Sequence, residues 1–164
     1  MRSSLVVLLM LAMSSAIALS QDWSAKVVKV IDGNTIEVMT SDNETYKVKF
    51  KEIDCPEINQ LFGIEAKKLT EKILLKKKVT VTIKGKDRWG NRLVSITLGN
   101  GKDINSELLK KGYAWHNSRL SSDKSLKSLE TNAKANKIGL WESENPTPPW
   151  VFRRQQTMNV AKSG

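Results

Sequence analysis

From Tyr46 to Lys51 aromatic or apolar residues alternate strictly with lysine: Tyr46, Val48 and Phe50 against Lys47, Lys49 and Lys51. A period of two marks a strand with one face buried and one wet, because a helix would scatter that apolar set around its circumference. Upstream, Lys26 to Ile31 and Thr35 to Met39 flank Asp32-Gly33, where glycine tolerates the positive φ that a tight two-residue turn demands. Ser41-Asp42-Asn43-Glu44 supplies the next turn, and three strands meander.

The period changes after Asp54-Cys55-Pro56-Glu57. Pro56 withholds a backbone donor, and Phe62, Ala66, Leu69 and Ile73 recur at helical spacing, which predicts a helix. Val79, Val81 and Ile83 return to period two, Lys86 to Asn91 forms a loop, and Leu93 to Leu98 completes a second hairpin. Gly99-Asn100-Gly101 then turns into a short helix from Ile104 to Lys111. Ser122-Asp123 caps a third, in which Leu126, Leu129 and Ala133 share a face and which Gly139 ends. Asn145-Pro146-Thr147-Pro148-Pro149-Trp150 reads as an extended strap leading to a loose basic tail. Five short strands with three helices in this order predict an α+β fold, a small closed Greek-key barrel of the OB type.

With 164 residues there is room for one compact domain, expected over 26–142, with a short leader at 21–25 and the strap and tail at 143–164. Residues 1–20 have the layout of a secretory signal peptide: Arg2, an apolar run from Leu5 to Met13, and small residues around Ala16-Ile17-Ala18. That run is shorter than the ~20 residues that span a bilayer. The expectation is a secreted or periplasmic monomer with no stable membrane insertion after the segment is removed. Cys55 is the only cysteine, which excludes an intramolecular disulfide.

Lys and Arg outnumber Asp and Glu by 27 to 17, for a net charge of +10. Such a surface concentrates polyanions without naming them, so nucleic acid, acidic lipid and anionic envelope polymer all remain open. Chemistry concentrates in Asp32-Gly33-Asn34-Thr35 and Asp54-Cys55-Pro56-Glu57, where short oxygen-bearing side chains suit a hard cation such as Ca²⁺ but serve equally well as turn formers. No Ser-His-Asp or Cys-His constellation can be assembled. Trp115 reads as a core aromatic and His116 as a surface residue.

Val28 to Thr35, Ile53 to Glu57, Asp87-Arg88-Trp89-Gly90, Gly112 to Trp115 and Gly139-Leu140-Trp141 together resemble the staphylococcal nuclease, or thermonuclease, family over residues 26–142. The ending Pro148-Pro149-Trp150-Val151-Phe152-Arg153-Arg154 resembles that of many secreted members. The resemblance implies a Ca²⁺-dependent phosphodiesterase of DNA and RNA. It places the metal on Asn34, Asp54 and the Cys55 carbonyl, makes Glu57 the catalytic carboxylate, and puts two phosphate-binding arginines at positions 49 and 91.

Three of these positions depart from the family pattern. Asn34 stands where an Asp is expected and brings no negative charge. Lys49 keeps the charge but lacks the planar fork that grips two phosphate oxygens. Asn91 supplies no cation, and its neighbour Arg92 substitutes only if a bulge turns it inward. Asn117 and Leu120 replace tyrosines that serve as stacking platforms. The implied outcome is impaired catalysis with weak or absent Ca²⁺ binding. Single-stranded DNA or RNA would be held by Lys49, Arg88, Arg92 and Lys76-Lys77-Lys78. A fully active nuclease and an envelope polyanion-binding domain remain the alternatives.

Overall fold

A computed structural model describes residues 22–163; the expected signal peptide lies outside them. The chain forms β1 (Asp22–Asp32), β2 (Thr35–Met39), β3 (Thr45–Phe50), β4 (Ile53–Asp54), α1 (Gly63–Leu74), β5 (Lys78–Lys86) and β6 (Arg92–Leu98). There follow α2 (Ile104–Lys110), β7 (Trp115–His116), α3 (Lys124–Ala135), a 3-10 turn at Gly139–Glu142 and α4 (Pro149–Ser163). Five strands close a barrel in the order β1-β2-β3-β6-β5, as the alternating pattern predicts, while β4 and β7 form a separate two-stranded ladder.

Closure depends on two features. β1 runs longer than its apolar alternation, pairing with β2 and with β5, and register shifts at Val27/Lys29 and Val30/Asp32 bend it between these neighbours. The parallel pairing of β3 with β6, Lys49 opposite Leu93, then joins the two hairpins. Val27, Ile36, Val38, Val48, Val81 and Ile96 are fully buried inside. α1 lies against β1 with Ala66, Thr70 and Leu74 buried.

Two helix boundaries differ from the sequence expectation. α3 leaves the helix before Gly139: Lys137 takes the left-handed conformation, and Ile138 N–H donates to the Ala133 carbonyl at 3.0 Å, a Schellman closure. Gly139 serves a different contact, since a Cβ there would fall 2.6 Å from the Gly112 carbonyl oxygen. The expected loose tail is a helix. Pro149 occupies the first helical position, where its missing N–H costs nothing, and the Pro148 carbonyl accepts from Val151 and Phe152, both at 3.0 Å. Only 143–148 remain a strap.

Candidate active site

A cleft of about 190 Å³ opens beside the β1–β2 turn, and Asn34, Lys49, Cys55, Glu57, Asn91 and Arg153 line it. Asp32 pairs with Thr35, so Gly33 and Asn34 form the turn. Gly33 does not adopt the positive φ expected of it. It is small for another reason: a Cβ would lie 2.6 Å from the Cys55 Cβ and 2.8 Å from the Ala66 Cβ. Thr70 of α1 donates its hydroxyl to the Gly33 carbonyl at 2.7 Å, and Asp32 Oδ1 accepts from Asn34 N–H at 2.9 Å. Asn34 is buried, and its Nδ2 donates to the Ile53 carbonyl at 3.4 Å, which leaves Oδ1 as its acceptor for the cleft.

Asp54 is buried on β4, opposite Trp115 of β7. Glu57 follows on the loop into α1, fixed at both backbone ends. Its N–H donates to Gln60 Oε1 at 3.2 Å, and its carbonyl accepts from Gln60 N–H at 2.9 Å. Gly63 packs against that carbonyl so closely that a Cβ would fall 1.8 Å from the oxygen. Lys49 Nζ stands 3.9 Å from Asp54 Oδ1.

The centre of the cluster is a residue that sequence reasoning missed. Arg153, on α4, donates through Nη1 to Asp54 Oδ1 at 3.1 Å and Glu57 Oε1 at 2.7 Å, and through Nη2 to Asp54 Oδ2 at 2.7 Å. The Asp54 hydrogen bonds, with the charge of both carboxylates, raise the guanidinium pKa further above its ordinary value despite partial burial. The available signal was indirect: positions 49 and 91 lacked arginine, and the ending after Trp150 carried two.

Asn91 does line the cleft, but its amide nitrogen is committed to Asp87 Oδ2 at 2.8 Å. Asp87 Oδ1 also accepts from the N–H groups of Trp89 and Asn91, both at 2.9 Å. Burial alone would raise the Asp87 carboxyl; the bonds from Asn91 and Trp89 outweigh it and hold the pKa below the ordinary value. The structure does not bring Arg92 into the cleft. Arg92 pairs with inward-facing Val48 and shares its side of the ladder, whereas Lys49 faces the other. No bulge corrects this, because the β5–β6 irregularity lies at Ile83/Gly85. The Arg92 guanidinium sits 3.9 Å over the Tyr46 ring, in a separate groove of about 680 Å³ that Trp23, Lys26, Lys76 and Lys78 also line.

Lys77 is exposed on the turn before β5, and Arg88 lies 4.0 Å over the ring of Trp89, itself 70% exposed. Trp115 packs edge-on against Trp141 at 4.4 Å and Trp150 at 5.7 Å, in keeping with its reading as a packing aromatic. His116 is buried rather than on the surface: its N–H donates to Glu130 Oε1 at 3.2 Å as β7 passes beneath α3. The Cys55 thiol is buried, and burial first and then the Asp54 charge push its pKa well up, which favours the neutral thiol over the reactive thiolate.

The family model described as staphylococcal nuclease homologue matches residues 47–143. A protein of Haemophilus influenzae named an uncharacterized endonuclease is 38% identical over 138 residues, covering 84% of this chain and 77% of that one. An Escherichia coli O157:H7 protein of the same name is 33% identical, covering 84% and 90%. The micrococcal nuclease of Shigella flexneri is 30% identical, covering 81% and 82%.

Proposed function

The chain belongs to the staphylococcal nuclease family, and on that premise we propose that it hydrolyses the phosphodiester backbone of single-stranded DNA and RNA, outside the cytoplasm, with Ca²⁺ as cofactor. The observation that carries this reading is the spacing of Asp54 and Glu57, close enough for one guanidinium to hydrogen-bond both. Asp54 and Glu57 already face the cationic side chains of Arg153 and Lys49, so a metal ion would enter in exchange for part of that charge. The donors around them are all oxygen: Asn34 Oδ1, Asp54 and Glu57. Among the described residues no three His, Cys, Asp or Glu side chains gather as a metal site, so a cation would depend on the neutral Asn34 oxygen and a backbone carbonyl such as that of Cys55. That donor set fits a hard ion held weakly. When bound, the ion would add positive charge beside the phosphate.

The residues of the chain supply the remaining chemistry. Lys49 offsets charge on the phosphate oxygens. Glu57 takes a proton from water as the water oxygen bonds to phosphorus; one P–O ester bond breaks, the leaving oxygen takes a proton from solvent, and Glu57 returns its own to solvent. Glu57, which its Gln60 bonds and the close contact with Gly63 hold in place, is suited to that role. A second reading, binding with little turnover, draws support from the engagement of Glu57 with Arg153.

Cleavage of denatured DNA and of RNA across tenfold steps of Ca²⁺ separates the two. The expected result is saturable Ca²⁺-dependent cutting that Glu57→Gln lowers by about 10²-fold or more. Cutting that persists undiminished in Glu57→Gln overturns the mechanism, and an inert wild type that still binds oligonucleotide favours the binding reading.

A further inference from the structure

We propose that Arg153, delivered by the C-terminal helix, is the phosphate-contacting arginine of this cleft and replaces the fork that positions 49 and 91 lack. The inference rests on the nuclease reading above and adds a residue to it. Three observations carry it. The Arg153 guanidinium lines the same cleft as Lys49, Asn91 and Glu57 and lies 2.7 Å from the Glu57 carboxylate, within one side chain's reach of any phosphate that Glu57 could serve. Both Nη atoms meet paired oxygens of Asp54, and a phosphodiester presents the same paired-oxygen geometry to a planar fork. An entering phosphate can therefore take over bonds that Asp54 now receives.

The third observation is that α4 is docked by the site itself. Trp150, three residues before Arg153 and so on the same helical face, packs its ring 5.7 Å from Trp115. Trp115 is in turn the strand partner of Asp54. The ladder that positions the buried carboxylate thus also seats the helix that carries the guanidinium. Gln60, whose side chain and backbone fix Glu57, donates to the Thr147 carbonyl in the strap leading to α4. The arginines nearest position 91 in sequence are engaged elsewhere, Arg88 over Trp89 and Arg92 over Tyr46.

The test compares wild type with Arg153→Ala, Arg153→Lys and Trp150→Ala. Asn91→Arg/Arg153→Ala serves as the rescue, and melting temperature reports folding. The expected result is that Arg153→Ala lowers kcat by about 10²–10³-fold, more than it raises KM. Arg153→Lys should recover part of the loss, and Asn91→Arg should restore at least about tenfold in the Arg153→Ala background. Trp150→Ala, which leaves the arginine but loosens its helix, should lose activity in the same direction.

Binding of a fluorescein-labelled short oligothymidylate, measured by anisotropy in the Glu57→Gln background, provides a readout without turnover; Arg153→Ala should weaken it about tenfold or more. Arg153→Ala protein that cuts as fast as wild type or faster, with oligonucleotide binding unchanged, overturns the proposal and makes the guanidinium a plug. If neither wild type nor any variant cuts, the nuclease reading falls. The anisotropy difference then still decides whether Arg153 touches phosphate.

Discussion

At the scale of single residues, the site is set by what is absent from two side chains. Gly33 allows the hairpin turn to press onto Cys55 and Ala66, and Gly63 allows the start of α1 to press onto the Glu57 carbonyl. Neither needs a special backbone angle: neither has the positive φ that marks Gly85, Gly90, Gly101, Gly112 and Gly139. A methyl group at position 63 would sit 1.8 Å from the Glu57 carbonyl oxygen, and no flexible side chain is there to yield. Gly63→Ala is expected to cost about 1–3 kcal/mol of stability, the usual scale of overpacking. Its effect on kcat should be larger, about 10²-fold, because displacing Glu57 by an ångström spoils its approach to the attacking water. Thermal melts beside single-turnover rates would check the pair of values. A variant that melts lower yet keeps its kcat would mean that the Glu57 backbone is not what aims its carboxylate.

At the scale of elements, the barrel was legible in the sequence and the arrangement around the cleft was only partly so. Strict alternation in Tyr46 to Lys51 translated directly into β3, with Val48 and Phe50 buried and Lys47 and Lys49 turned outward. Asp123 was recognisable as a helix cap, and its carboxylate does accept from Ser125 and Leu126 N–H. α4 was not legible. Its apolar residues follow no helical stripe, and consecutive prolines suggest an ending rather than a start. Arg153 reaches Glu57 and Asp54 across 96 and 99 positions, a pairing with no local signature. β7 is two residues long, held on one side by β4 and on the other by a buried acid of α3. Glu130 accepts from His116 N–H and from Lys127 Nζ at 2.7 Å, and lies 3.3 Å from Lys134 Nζ. Burial pushes its pKa up, but the Lys127 bond and the charges of Lys134 and Lys127 outweigh that and lower it. A carboxyl depressed on folding contributes stability above its unfolded value of about 4.3 and loses that contribution as pH falls through the folded value. The urea midpoint of wild type should therefore exceed that of Glu130→Gln at pH 7, by about 1–3 kcal/mol in stability, and the gap should close below about pH 4. A gap independent of pH would mean that shape rather than charge supports β7.

At the scale of the whole molecule, basic side chains line two separate places. Lys47, Lys49 and Arg153 line the cleft, while Lys26, Lys76, Lys78 and Arg92 line the groove. The division follows from the barrel wall: consecutive residues point to opposite sides, so Asn91 opens on the cleft and Arg92 on the groove. A single strand of about 4 nucleotides, the short end of what one OB-type barrel holds, engages the cleft first, whereas one of about 60 can reach both places. Each phosphate neutralised contributes about −0.7 to the slope of log K against log salt for single strands. With Lys47, Lys49 and Arg153 as contacts, Glu57→Gln protein should give a slope of about −2 with the short strand and a steeper one with the long. Lys76→Ala/Lys78→Ala should flatten only the long strand's slope, and Lys49→Ala should flatten both. Equal slopes at both lengths would leave the groove's lysines and Arg92 with no part in binding nucleic acid, and would confine recognition to the cleft that Arg153 lines.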